Sequence, residues 1–262
     1  MEQKTNPIEE YRKKLTVVVC AYKANKAFTL CLHQLARYGM KAENLLIYEN
    51  SPSDYVSNRE LLRKYKIDFI DNPGGLHADT LNMAFKEIKT DYALLLDSDC
   101  FCTFNPVAFL PNIEKHNVSL FGDICGNRGG FRIRKRVHPW WCIVDMKLIR
   151  EAGIQFVDME RMVKTNSMSL IKRELLGKQR DMNGYYYDAG STMMEDVLKA
   201  GGIVADVGET LPYIHIEGSS WKHDFPEYEA SAVKNDNWVN LLYGKLQFEE
   251  KYLANLGRKA NG

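Results

Sequence analysis

The sequence has no glycine before Gly39. The turn after its first apolar run, Leu15 to Lys23 (LTVVVCAYK), therefore lacks the Gly-rich phosphate cradle of a dinucleotide fold, and no GxxxxGK[ST] occurs anywhere. Neither NAD chemistry nor P-loop chemistry has support. Cysteine is sparse: Cys20, Cys31, Cys100, Cys102, Cys125 and Cys142 include no CxxC pair, which argues against a disulfide scaffold or a structural zinc site and for free thiols in a reducing compartment. Long apolar runs are missing as well, and the opening MEQKTNPIEEYRKK is polar. These absences predict a cytoplasmic protein with no transmembrane segment.

What is present is ordinary in bulk and uneven in detail. The 262 residues, 45% hydrophobic and 26% charged, suffice for a full core. The net charge is only +1, yet residues 128–180 hold 13 Lys and Arg against 5 Asp and Glu, and the remainder 22 against 29. Such a basic block suits either an anionic partner or pairing with the acidic remainder of the same chain.

Taken in order, the chain alternates buried strands with amphipathic helices. After Leu15 to Lys23, the apolar residues Phe28, Leu32, Leu35 and Ala36 recur at helical spacing from Asn25 to about Tyr38. Leu45 to Tyr48 reads as a second strand, closed by the turn formers Glu49 to Asp54. Ser57 with Glu60 predicts a capping box, Ile67 to Ile70 a third strand, and Asp71 to Gly75 a loop that approaches a ligand closely. Leu81, Ala84, Phe85 and Ile88 stripe the next helix, and Ala93 to Leu96 form a fourth strand. This alternation is the signature of a parallel, doubly wound sheet. The fourth strand stops on Asp97-Ser98-Asp99. Two carboxylates one residue apart, at the carboxyl end of a buried strand, are placed to hold a hard divalent cation and, through it, a phosphate.

Further on, Trp140 and Trp141 follow the RIRKR run Arg132 to Arg136 and either stack on a sugar or base or pack under the sheet. A helix from Ser191 is closed by Gly201-Gly202. Its apolar face of Met193, Met194, Val197 and Leu198 puts Glu195 and Asp196 on the other side. Tyr213 to Ile216 is strand-like, and the stretch after Pro226 is a helical tail striped by Trp238, Leu241, Leu242 and Leu246.

These residues resemble family 2 glycosyltransferases of the GT-A fold, clearly over about 15–102 and by scattered matches over 185–221. The resemblance implies an α/β, Rossmann-like, mostly parallel sheet flanked by helices, as a single domain with acceptor-side insertions and a helical C-terminal tail. Its divisions would be a polar lead-in (1–14), a nucleotide-sugar-binding half (15–102), an acceptor-side and catalytic half (103–225) and the tail (226–262). It implies a metal-dependent, inverting transfer from a nucleoside-diphosphate sugar, UDP-linked by the nearest pattern, to an acceptor hydroxyl. Ala21 and Tyr22 would flank the base, Glu49 would take the place of the usual Asp, and Asn72, Gly75, Asp97 and Ser98 would complete the donor site. The resemblance also implies that Asp99 ligates Mn²⁺ or Mg²⁺ directly, that Asp97 contacts the ribose or reaches the metal through water, and that His215 completes the metal site, with His223 as rival. Asp188, just before the Ser191 helix, would be the catalytic base. The basic block then suggests a polyanionic acceptor, an acidic glycan or a nucleic acid with a modified base. A non-catalytic, transferase-like domain that binds nucleic acid or an anionic glycan is the alternative. The oligomeric state is not legible.

Overall fold

The computed structural model describes residues 7–125, 135–176, 187–216, 219, 222 and 225–257, the side chains of 168–176 excepted. Arg132, Arg134, Trp221 and His223 lie outside them. The elements in order are α1 (Pro7–Lys13), β1 (Leu15–Ala21), α2 (Asn25–Arg37), β2 (Leu45–Glu49), α3 (Ser57–Lys64), β3 (Ile70–Asp71), α4 (His77–Glu87), β4 (Tyr92–Asp97), β5 (Cys100–Cys102), α5 (Leu110–Lys115), β6 (Val118–Cys125), β7 (Arg136–Asp145), α6 (Met146–Ala152), α7 (Met159–Leu176), α8 (Ser191–Lys199), β8 (Ile203–Asp206), β9 (Tyr213–His215), α9 (Glu229–Lys245) and α10 (Glu250–Leu256).

The two central strands show why the sheet sits where it does. Along β1, Leu15, Val17, Val19 and Ala21 enter one apolar layer, with Phe28, Leu32 and Leu35 of α2. Val18 and Cys20 enter the other, with Leu81, Ala84 and Phe85 of α4. Leu94 and Leu96 of β4 join the first layer and Leu95 the second. A strand with two buried faces needs an unbroken apolar run rather than alternation, and VVVCA and ALLL supply it. Each leucine so buried contributes about 1.5–3 kcal/mol.

The sheet has seven strands in the order β3-β2-β1-β4-β7-β6-β8, with a separate pair β5-β9. Among the described strands of the large sheet β7 alone runs against its neighbours, antiparallel to both β4 and β6. Two consequences position everything below. The chain order reverses at β1, whose end is flanked by Glu49 (Ala21↔Glu49) and Asp97 (Cys20↔Asp97), a switch point of the kind where open α/β sheets take ligands. Because β7 is reversed, with Leu96 opposite Trp141, its first residues lie at the same edge as the last residues of β4.

Several expectations shift locally. β1 ends at Ala21, because Lys23 and Ala24 take the left-handed conformation at φ 50° and 49°. That costly turn is held by Lys23 N–H to Ser51 Oγ at 2.7 Å and by Asn58 Nδ2 to Lys23 O at 2.9 Å. The third strand is Ile70–Asp71, not Ile67 to Ile70. Ile67 instead closes α3 in a Schellman motif: Ile67 N–H reaches Leu62 O at 2.9 Å, Lys66 N–H reaches Arg63 O at 3.1 Å, and Lys66 is left-handed at φ 56°. The capping box at Ser57 does not form; Val56 precedes α3 without a side-chain cap. In α8, Met193, Met194 and Val197 turn inward as expected, but Leu198 is exposed. In α9 the inward residues are Ala232, Val239 and Leu242, while Trp238 and Leu241 face solvent.

The tail docks on α2. His33 Nε2 accepts from Glu249 N–H at 3.0 Å, and the His33 ring meets Phe248 at 4.8 Å and Tyr252 at 5.3 Å. No helix among the described residues is long and apolar enough to cross a membrane.

Candidate active site at the carboxyl edge of the sheet

The ends of β1, β2 and β3 form a polar cradle. Glu49 is fully buried; its Oε1 accepts from Ser51 N–H at 2.8 Å and lies 3.9 Å from Arg59 Nη1. Its Oε2 is buried without a hydrogen-bond partner, an unmet acceptor beside the switch point of the sheet. Arg59 ties the cradle together, donating to Asp71 Oδ1 (2.9 Å), Pro52 O (3.1 Å), Tyr55 O (2.7 Å) and Ser51 O (2.9 Å). Beside it Asn72 Nδ2 donates to Asn50 Oδ1 at 3.0 Å and Thr80 Oγ1 at 3.1 Å. A Cβ on Gly75 would fall 2.0 Å from Asn72 Nδ2 and 3.0 Å from Asn72 O, so the loop closes this tightly only around glycine. Tyr22 N–H points to Ser98 Oγ at 3.5 Å. Ala21, Tyr22, Glu49, Asn72, Gly75 and Ser98 thus gather at the ends of four adjacent strands, β3, β2, β1 and β4, and the loops that follow them. Asn82 of α4 braces the fold, with its amide bonded to both the N–H and the C=O of Val157.

Next to the cradle, Asp97, Asp99 and His215 offer ligand atoms that all lie within 4.8 Å of one another. His215 Nε2 is 3.4 Å from Asp99 Oδ1. The backbone that delivers His215 is β9, where it pairs in register with Cys100 of β5. Two carboxylate oxygens and one imidazole nitrogen form a donor set that fits Mn²⁺, and Mg²⁺ less well.

One neighbour of this cluster had no sequence signal. His77, the first residue of α4, places Nε2 3.1 Å from Asp97 Oδ1. Partial burial works against charge on that imidazole, but the Asp97 carboxylate overrides it and raises the His77 pKa well above its ordinary value. In return, although burial opposes its charge, His77 with His215 and His138 holds the Asp97 carboxyl below its ordinary value.

The two tryptophans have different fates. Trp141 is fully buried in the core against Phe109 and Phe121, so of the two alternatives it takes packing under the sheet. Trp140, half-buried, lies in a column of three stacked rings. Its ring centroid is 3.5 Å from that of His138 with 14° between planes, and 4.4 Å from that of His215 with 24° between planes. Its Nε1 donates to Tyr213 Oη at 3.1 Å, and that hydroxyl reaches Asp123 Oδ2 at 3.2 Å.

Asp188 sits just before α8, with a side chain 44% exposed and Oδ2 2.9 Å from Nη2 of the buried Arg136. Arg136 also donates to Ala189 O at 2.8 Å. Glu195 and Asp196 are engaged elsewhere: Glu195 accepts from the Tyr187 hydroxyl at 2.6 Å, and Asp196 takes two bonds of 2.8 Å from Arg161. The basic block is thus partly internal. Arg136 and Arg161 pair with carboxylates, and Arg150 donates to Ile88 O and Thr90 O.

A model of the family described as Glycosyl transferase family 2 matches residues 16–179. Over 111 residues, 40% of this chain, the sequence is 31% identical to a teichoic acid poly(glycerol phosphate) polymerase of Staphylococcus epidermidis; the chain spans 15% of that relative's length. Among solved structures, the mannosyltransferase PcManGT from Pyrobaculum calidifontis, in complex with GDP-Man and Mn²⁺, superposes with a TM-score of 0.52 at 9% identity, over 87% of this chain and 70% of that one. S. aureus TarS 1–349 in complex with UDP-GlcNAc gives 0.49 at 14% identity, over 91% of this chain and 74% of that one.

Proposed function

The chain belongs to glycosyl transferase family 2, and from that premise we propose that it is a metal-dependent, inverting glycosyltransferase using a nucleoside-diphosphate sugar. The observation that carries this reading is the meeting of Asp97, Asp99 and His215 within 4.8 Å beside the switch point of the sheet. A bound divalent ion supplies countercharge to the diphosphate as it leaves.

The remaining roles fall to the chain's own groups. Glu49 Oε2, buried and unpartnered, accepts an N–H from the edge of the base. This suits uracil or guanine, which present a ring N–H there, and disfavours cytosine, whose ring nitrogen is itself an acceptor. Uridine is the first choice. Ala21 and Tyr22 flank the base, Ser98 and Asp97 the ribose, and the Asn72 to Gly75 loop closes the donor side. Asp188 takes the acceptor hydroxyl proton as the oxygen bonds to the anomeric carbon. On the opposite face the bond from that carbon to the phosphate oxygen breaks, which inverts the configuration. The acceptor to try first is an anionic polymer: the curated relative is named as a poly(glycerol phosphate) polymerase, and residues 128–180 carry the basic excess.

The test is release of nucleoside diphosphate from a panel of nucleotide sugars. Activity is expected with Mn²⁺, none in EDTA, and a loss of about 10³-fold in Asp99→Ala, the equivalent of several kcal/mol of charge stabilisation. Full turnover in chelator, or in Asp99→Ala, would discard the metal-dependent reading.

A further inference from the structure

His215 reaches its site from a different sheet than Asp97. Asp97 ends β4 of the large sheet, whereas His215 ends a three-residue strand paired, among the described strands, with β5 alone; Asp99 stands between the two, just before β5, its C=O taken by Ile216 N–H at 3.0 Å. The pairing Cys100↔His215 fixes where that backbone lies, but it leaves the imidazole free to rotate about its side-chain bonds. The large sheet reaches across to this ring through Trp140 of the reversed strand β7.

The grip has two points on the same face of β9. The indole face lies on the His215 ring, and the indole N–H binds the Tyr213 hydroxyl. Behind the indole, the buried His138 ring stacks at 3.5 Å, and its Nε2 lies 3.7 Å from Asp123 Oδ2, the oxygen that also meets the Tyr213 hydroxyl. The contacts close into a circuit running from His215 through Trp140, His138, Asp123 and Tyr213 back to β9. A flat ring pressed on the imidazole sets its plane and leaves the edge carrying Nε2 turned to Asp99.

Resting on the metal-site reading above, we infer that Trp140 is a positioning residue: locked by Tyr213, Asp123 and His138, it holds His215 in the plane in which Nε2 serves the divalent ion. Removing such support from a ligating histidine typically costs about 10–100-fold in metal affinity.

The test is a titration of the whole chain with Mn²⁺ alone, followed by the paramagnetic resonance signal of free Mn²⁺. Trp140→Leu keeps apolar volume but loses the flat ring, and is expected to weaken Mn²⁺ binding by about 10–100-fold, with turnover recovering at saturating Mn²⁺. Trp140→Phe keeps a ring but loses the indole N–H bond to Tyr213, and should fall between wild type and Trp140→Leu. His215→Ala separates the two layers of the argument. If His215→Ala binds Mn²⁺ as wild type does, the metal-site reading falls and the positioning role with it. If His215→Ala loses affinity while folded Trp140→Leu keeps it, the positioning role alone is overturned. Should Trp140→Leu fail to fold, Tyr213→Phe, which removes only the hydroxyl lock, decides the matter: weakened Mn²⁺ binding supports the proposal and wild-type binding overturns it.

Discussion

The two sides of the site are held together in different ways. On the donor side, Glu49, Asn50, Ser51, Arg59, Asn72 and Thr80 bond to one another and to the loops between them, all within a single stretch of the first half. On the other side every important contact joins distant parts of the chain: Arg136 to Asp188, Trp140 to Tyr213, Asn166 to Tyr187, Asp99 to His215. The proposed donor cradle is a local construction that the stretch from β2 through α4 completes within itself. The side carrying Asp188 and His215 is a set of clamps between strands and helices that meet only in the finished fold. A substitution on the first side should therefore act on stability, and one on the second on chemistry.

Asp188→Asn is the sharpest way to break that contrast. It should leave donor affinity intact and lower single-turnover transfer by about 10²–10⁴, the usual contribution of a general base. Asp196→Asn, whose parent carboxylate is occupied by Arg161, should do less; a reversed order would move the base onto α8. Arg59→Ala tests the opposite side. It strands the buried Glu49 carboxylate and four hydrogen-bond acceptors, and losing one partner of a buried pair costs about 3–5 kcal/mol. Urea denaturation should show the loss, and a second change, Glu49→Gln, should recover part of it; a variant as stable as wild type would refute the local cradle.

The smallest effect belongs to the tail. Burial, with Arg37 nearby, lowers the His33 pKa below its ordinary value, and Glu249 offsets this only in part. The unfolded chain therefore takes the proton first as pH falls. The stability that His33 contributes is complete above about pH 6.5 and is lost as pH drops toward the folded-state value. The difference in urea midpoint between wild type and His33→Gln should shrink on going from about pH 7 to about pH 5. A constant difference would remove His33 from the account of tail docking.

The same contrast governs what was readable in the sequence. LTVVVCA, ALLL and the Asp97-Ser98-Asp99 stop are local signals, and both the central strands and the acidic pair stand where those signals place them. Ile67 misled because Lys66, not glycine, occupies the left-handed position that ends α3, so a helix cap looked like the start of a strand. His77 gave no signal, and Trp140 and Arg136, though conspicuous in sequence, gave none of their partners, since those depend on α4 and the reversed β7 arriving at one edge. Asp188 was singled out by the resemblance and the apolar face of α8 and remains a proposed base; the Arg136 that pairs with it lay in a basic run that reads as surface. Where neighbouring residues in sequence decide the geometry, the chain announces it; where antiparallel packing decides, it does not.

The register between Cys100 and His215 also sets an order in time. Closing so long a loop is entropically slow, and among the described strands β9 pairs with β5 alone, so the large sheet can form well before His215 arrives beside Asp99. For the proposed ion site this sets a delay: Mn²⁺ binding should return after denaturation later than sheet structure does.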